Sequence, residues 1–261
     1  MQAEIVILGS GTSMGVPTLG CHCQVCTSTD PRNIRSRPSI AIQWADQTVL
    51  IDTGPDFRCQ ALREKIRHVD AVFYTHPHAD HILGFDDLRP LSFRHPAGLP
   101  IYADEATASV LERIFEYTFS PHAKYPTRAR VDLRRLDGHE FADVAGVRIQ
   151  RVPLLHGDLF IAGFRFGSAA YLTDMSSIPA TSLPLLEGIE VLIIDALRKQ
   201  PHPSHANVEQ ALAWIERLRP QRAFFTHMSH ELDHGEAEKE LPAHVRLAYD
   251  GLHIPFEITS L

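Results

Sequence analysis

Four times along this chain a short apolar run is followed at once by a histidine or an aspartate. Val72-Phe-Tyr-Thr precedes His76, Val152-Pro-Leu-Leu precedes His156, Tyr171-Leu-Thr precedes Asp174, and Phe224-Phe-Thr precedes His227. Polar, ligand-type residues at the ends of strands, where loops gather on a rigid scaffold, are the expected layout of an active site. That repetition restricts the fold to one whose strand ends converge. Each of these residues taken singly would more often be an ordinary polar residue at a strand end.

The first of the four is the richest. In Ala71-Val-Phe-Tyr-Thr-His-Pro-His-Ala-Asp-His81, an apolar strand ending near Thr75 runs into a turn carrying His76, His78, Asp80 and His81, stiffened by Pro77. Imidazole nitrogens and a carboxylate this close can converge on a metal. Imidazole suits Zn, Fe and Mn, and the carboxylate oxygen widens the choice toward harder ions. Four ligands in six residues exceed what one tetrahedral ion plus substrate uses, so two adjacent ions are expected. The alternative is a polar surface turn in a chain with 16 histidines.

Strand-like runs recur at Glu4–Leu8, Ser39–Trp44, Thr48–Asp52, Ala71–Thr75, Val147–Leu155, Phe164–Phe166, Ala170–Thr173, Val191–Ile194 and Ala223–Thr226. Helical periodicity runs from Glu105 to Tyr117, with Leu111, Ile114 and Phe115 on one face behind Asp104 as N-cap. It returns over Val208–Leu218, with Val208, Leu212, Ile215 and Leu218 as the stripe, Asn207 and Gln210 as a capping box, and Pro220 as the stop. Clusters of strands interrupted by single helices predict an α+β fold, two mixed sheets face to face with helices outside, in four αββα layers. No linker divides the 261 residues, so one domain over 1–261 is expected.

Composition narrows the partners. The net charge is −7 and no Lys or Arg block stands out, so a large nucleic acid is disfavoured while a small anionic substrate stays open. Arg128, Arg130, Arg134 and Arg135 are read as a solvated face. The longest apolar runs, such as Ile189–Ala196, fall well short of a membrane span. The N-terminus has no basic segment ahead of its apolar run, so no signal peptide and a cytoplasmic location are expected.

Three of the four cysteines sit in Gly20-Cys-His-Cys-Gln-Val-Cys26. Thiols at Cys21, Cys23 and Cys26 favour one tetrahedral Zn over a disulfide in a reducing compartment. The fourth ligand is His22, within the loop, or His230, far along the chain; a distant ligand would tie the loop to the last third of the protein. A redox thiol cluster is the competing reading. Cys59, in the helix-like Asp56–Lys65, is expected to be a packed core thiol, and His68, His95, His122, His139 and His253 are expected to be surface or satisfied residues.

His-x-His-x-Asp-His after a strand, then a lone His, a strand-terminal Asp and a late Thr-His, resembles the metallo-β-lactamase superfamily over nearly the whole chain. The turn Gly9-Ser-Gly-Thr-Ser-Met-Gly-Val-Pro17, the Cys21-x-Cys23-x-x-Cys26 loop and Thr226-His-Met-Ser-His230 are similar to the PhnP-like phosphodiesterases. Known members open cyclic phosphates of phosphorylated ribose and act on simple diesters. The resemblance implies His76, His78 and His156 on one divalent ion, Mn or Zn. It implies Asp80, His81 and His227 on a second, with Asp174 bridging, and a structural Zn on Cys21, Cys23, Cys26 and His230. It further implies Asp52, in Leu50-Ile-Asp-Thr-Gly54, as a support for a ligand-bearing loop, Asp80 and His205 as catalytic residues, and a homodimer. His205 matches the histidine placed beside the substrate phosphate, although the residues alone do not separate it from His202; its place before the helix at Val208 favours an anion. The run Asp195-Ala-Leu-Arg198 departs from the phosphonate-pathway enzyme.

The expected chemistry is hydrolysis of a small phosphodiester, a cyclic phosphate of ribose or of a nucleotide, by a hydroxide held between two ions. The alternatives are a thioesterase or lactonase with the same metals, a tRNA 3′-processing nuclease, and a noncatalytic protein in which the metals only hold the fold.

Overall fold

Each strand that ends in a ligand-type residue lies inside one of two seven-stranded sheets, and the sheets share one hydrogen-bonding plan. The computed structural model describes residues 1–120, 122, 125–138 and 140–258. The first half of the chain supplies β1 (Gln2–Gly9), β2 (Ser39–Trp44), β3 (Gln47–Ile51), α1 (Phe57–Arg63), β4 (Ala71–Phe73), α2 (Ala79–Ile82), α3 (Arg89–Ser92), β5 (Leu99–Ala103), α4 (Glu105–Ile114), α5 (Glu116–Phe119) and β6 (Val131–Arg135). The second half supplies β7 (Phe141–Val144), β8 (Val147–His156), β9 (Leu159–Phe166), β10 (Ala169–Leu172), β11 (Val191–Asp195), α6 (Val208–Leu218), β12 (Arg222–Thr226), α7 (His234–Lys239), β13 (Val245–Leu247) and β14 (His253–Glu257).

One sheet runs β14-β1-β2-β3-β4-β5-β6 and the other β13-β12-β11-β10-β9-β8-β7. In the first, β14, β1, β2 and β3 are antiparallel neighbours and β3 to β6 are parallel. In the second, β7 to β10 are antiparallel and β10 to β13 parallel. The inner faces meet in one apolar layer that includes Ile5, Ile42 and Phe73 from one sheet and Ile149, Phe164 and Ile193 from the other. Phe73 stacks on Tyr102 at 4.5 Å and meets Phe164 edge-on at 5.3 Å, an arrangement suited to the ring quadrupoles. The outer faces are covered by helices. Leu50, Val72 and Ile101 pack with Phe57, Leu111 and Phe115 on one side, and Leu172, Ile194 and Phe225 with Ala211 and Ile215 on the other. The expected α+β sandwich of four layers is the observed one.

Helix α6 forms as its sequence predicts. Asn207 accepts from the Gln210 amide while the Gln210 side chain returns to the Asn207 amide, and the helix ends at Arg219 with φ 54°, one residue before Pro220. Asp104 caps α4 through the Thr107 amide. The stripe predicted for α4 needs correction. Phe115 leaves helical geometry, so the expected single helix to Tyr117 breaks into α4 and α5, and Ile114 is 44% exposed. The buried side consists of Thr107, Ala108 and Leu111, continued by Phe115, which stacks on Phe85; Ile114 lies about 100° off Phe115 and turns to water. Cys59 is likewise exposed, contrary to expectation. Helix α1 buries Phe57 and Gln60, whose amide donates to Ser36 Oγ and the Arg37 carbonyl, and Cys59 falls outside that side.

Candidate metal centre and catalytic loop

The ligand-type residues are delivered by both sheets to one place. Strand β4 stops at Phe73, two residues sooner than predicted, and Tyr74 and Thr75 lead to His76. Asp80 and His81 then lie on the single turn of α2, with His78 as its N-cap residue, so the expected loop is partly helical. His156 ends β8, Asp174 follows β10 and His227 follows β12.

These seven side chains form two adjoining donor sets. His76, His78 and His156 make one, and Asp80, His81, Asp174 and His227 the other, with the donor atoms of each set within 4.8 Å of one another. Asp174 lies between them. Its Oδ1 is 3.0 Å from His227 Nε2 and 3.9 Å from His76 Nε2, and its Oδ2 is 3.2 Å from His81 Nε2. Asp80 Oδ2, His81 Nε2 and His227 Nε2 are buried and without a hydrogen-bond partner, yet they face one another. Buried polar atoms are costly when unpaired, and a divalent cation satisfies all three at once. The donor set therefore fits the ions that the sequence suggests.

Electrostatics favour a cation there as well. Burial opposes ionisation of Asp174 and Asp80, but the facing His227 and His81 outweigh it and hold both carboxyls well below the usual range. Burial would also lower His227, yet Asp174 beside it raises it to about 10. Protons thus occupy the cavity when no ion does, and a cation must displace them, so its affinity falls as pH falls.

Asp52 carries the support that the sequence anticipated. Fully buried, it takes Thr75 N on Oδ1 at 2.8 Å and Thr75 Oγ1 on Oδ2 at 2.8 Å, and Oδ2 lies 2.7 Å from His81 Nδ1. This fixes the His81 ring with Nε2 turned to the donor cluster. Gly54 is constrained by contact: a Cβ there would collide with the Asp80 carbonyl, so only glycine lets the Asp52 loop close on α2. Asp52, Asp174 and His227 all have left-handed backbones, φ 64°, 57° and 58°. Non-glycine residues held there store strain and cluster at functional sites. The sequence carries no sign of it.

The Cys loop closes on His230. Cys21, Cys23 and Cys26 Sγ lie 3.2, 3.4 and 3.5 Å from His230 Nδ1. A tetrahedron with Zn–S of about 2.3 Å and Zn–N of about 2.0 Å has S–N edges of roughly 3.5 Å, so the four residues fit one Zn. His22 is not among them. The Cys26 amide and, second to it, burial and the neighbouring groups act on Cys23, with the net result that its thiol is lowered to about 6.

His205, not His202, enters the cluster. The His205 ring lies 4.6 Å from that of His156 and stacks at 4.7 Å on His227; His202 sits behind it, 5.0 Å away, with Nδ1 accepting from Ser204 N. Sequence reasoning left Asp195 without a role. It is fully buried at the end of β11, and its Oδ2 is 2.9 Å from His205 Nδ1. The clue available was its position at the end of a fifth apolar strand, Val191–Asp195. Among the other histidines, His68, His95 and His253 are satisfied by the Asp46 carbonyl, the Val69 carbonyl and Glu4; His122 is exposed, and His139 lies outside the described residues. Arg134 and Arg135 are spent on Asp132, Glu105 and Glu112.

The sequence pattern of the β-lactamase superfamily domain matches residues 47–228. A solved structure described as a new diphosphatase from the PhnP family is 49% identical and superposes with a TM-score of 0.93 over 100% of this chain and 99% of its own. The chain belongs to the PhnP family of the β-lactamase superfamily. A second similarity comes with a difference in length. The octanoyltransferase of Porphyromonas gingivalis is 38% identical over 250 residues, which is 95% of this chain but 50% of that protein, so the chain spans half the length of this curated relative. The Zn-bound PqqB of Methylobacterium extorquens, 19% identical with a TM-score of 0.76 over 96% of this chain and 99% of its own, shares the fold. Among the described residues no helix is long and apolar enough to cross a membrane.

Proposed function

We propose that this PhnP-family chain is a metal-dependent hydrolase of small phosphodiesters. The observation that carries the reading is the Asp195–His205 pair set against the two donor sets. His76, His78 and His156 would hold one divalent ion, Asp80, His81 and His227 a second, with Asp174 shared, while the thiols and His230 would hold a structural Zn. Bound ions supply an activated water and neutralise charge on the phosphoryl oxygens.

The chain's own residues do the rest. Burial pushes the Asp195 carboxyl well up and lowers His205 to about 4; both directions favour a proton on Asp195 beside a neutral imidazole. A neutral imidazole that accepts at Nδ1 has its proton on Nε2, and Nε2 is the atom left for the substrate. His205 then donates a hydrogen bond to the phosphodiester. As the ester P–O bond breaks, the Nε2 proton passes to the departing alkoxide and the Asp195 proton moves to Nδ1. The imidazole stays neutral throughout; solvent then returns a proton to Nε2 and the Nδ1 proton passes back to Asp195, which restores the starting pair. A Zn site built on three thiolates suits a reducing compartment, which supports a cytoplasmic location.

One observation favours a second linkage, a phosphoric anhydride: the 49% identical relative is described as a diphosphatase. The same residues would serve, with a phosphate as leaving group. The deciding experiment is turnover after Mn or Zn reconstitution on bis(p-nitrophenyl) phosphate, a ribose cyclic phosphate, a dinucleoside diphosphate and a glutathione thioester. Diester cleavage abolished in His205→Ala with metal content unchanged is the expected result. Thioester cleavage without diester cleavage would overturn the reading.

A further inference from the structure

Leu159 and Phe160 are 58% and 67% exposed, and they are the only consecutive pair among the exposed large apolar residues described. Their position gives the exposure meaning. Strand β9 is pinned to the candidate site by the Ala162 amide, which donates to the carbonyl of Thr75, the residue before His76, at 2.9 Å. Phe160 lies two residues nearer the hairpin tip on the same face, about 6.8 Å on, at the end of the strand where Thr75 runs into His76. Leu159 pairs with His156 across the hairpin, and directly paired residues share a face. The turn is fixed too. A Cβ on Gly157 would meet Ser204 Cβ at 3.4 Å, Gly157 N donates to Ser176 Oγ at 3.1 Å, and His156 Nδ1 lies 2.8 Å from the Ser204 carbonyl. The hairpin tip is therefore anchored between the His76 loop and the loop that ends in His205, with Phe160 on the face of Ala162 and Leu159 on the opposite face, that of His156.

We propose that Phe160 is the seat for a nucleobase, so that the diester this site takes is a nucleotide and not a bare sugar phosphate. The inference rests on the phosphodiester reading and names its substrate class. The donor sets and His205 address only a phosphoryl group; nothing in them grips a substituent. A flat ring carried on the phosphate by a ribose can reach the adjoining hairpin tip and stack on Phe160, a contact that is tolerant of base identity. A sugar phosphate without a base would leave the Phe160 ring in water.

The test is direct binding of AMP and of ribose 5-phosphate to the Mn-loaded protein by titration calorimetry, which does not depend on turnover. AMP is expected to bind the wild type on the order of 10-fold more tightly than ribose 5-phosphate. Phe160→Ala should remove that preference without changing ribose 5-phosphate binding, and Phe160→Trp should keep it. Equal affinities in the wild type, or an undiminished preference in Phe160→Ala, would overturn the proposal. A Phe160→Ala protein that changes oligomeric state while keeping the preference would also overturn it and assign the tip to a contact between copies. Diester turnover, assayed separately, reports on the underlying reading: intact base preference in a protein that cleaves no diester would sink that reading alone.

Discussion

Asp195 Oδ2 lies 2.9 Å from His205 Nδ1, while Asp195 Oδ1, equally buried, has no hydrogen-bond partner. A carboxyl with one lone contact in a dry site is poorly solvated as an anion, which favours its protonated form and, with it, the Nε2–H tautomer of His205. Asp195→Asn keeps a donor for Nδ1 but has no proton to pass on. Its kcat should fall roughly 10- to 100-fold with KM little changed, whereas His205→Ala should lose about 10²- to 10⁴-fold. Steady-state kinetics with metal analysis checks this; equal losses of kcat and substrate affinity in Asp195→Asn would argue for a packing role.

Asp52→Ala removes the acceptor shared by Thr75 and His81. Metal affinity at the His/Asp centre should drop about 10- to 100-fold, as is usual when the partner of a ligating histidine is lost. Metal counted after dialysis against a weak chelator reads the effect, and the Cys-bound Zn should stay.

Zinc retention should depend on pH in a defined direction. The Cys23 thiol is lowered from 9.0 to about 6, so the folded protein favours the thiolate. That contribution is present in full above pH 9 and is lost as pH falls through about 6. Burial raises the neighbouring Cys26 thiol, so protons compete for the site from higher pH as well; Zn retention, followed with a chromogenic chelator, should weaken progressively as pH falls, and His230→Ala should release Zn at a higher pH than the wild type.

Phe164, 1% exposed between the sheets and edge-on to Phe73, tests the core. Phe164→Ala should cost about 3–5 kcal/mol in chemical denaturation, with no change in which metals bind at saturation.

What the sequence made legible follows from how local each signal is. The His76 to His81 run, α6 with its capping box, and the inner strands β2 and β8 are written in contiguous residues, and they were placed to within a residue or two. Strands β5, β6, β7, β13 and β14 were not foreseen. β6 carries Asp132, Arg134 and Arg135, and β14 alternates exposed His253, Pro255 and Glu257 with buried Ile254 and Phe256; both are the edges of their sheet, where polar residues and proline are tolerated because one side goes unpaired, and neither shows the continuous apolar run of the inner strands. Asp195 was missed as a partner of His205 because the two meet only after a ten-residue excursion of chain, and the left-handed backbones at Asp52, Asp174 and His227 leave no compositional trace. The positions of the seven ligand-type residues were readable one by one; the sharing of Asp174 between two sets required the resemblance.

The two sheets contribute unequally to the donor clusters: the loop after β4 gives His76, His78, Asp80 and His81, and the second sheet gives His156, Asp174 and His227. Neither donor set is complete on one side of the sandwich, so any ion held there is a rivet through the seam. Slippage of one sheet against the other by a single residue would split both sets at once. Ion binding therefore favours the docked sheets at that end, and a chelator that strips the centre should loosen the seam there first, while the opposite end of the apolar layer stays closed.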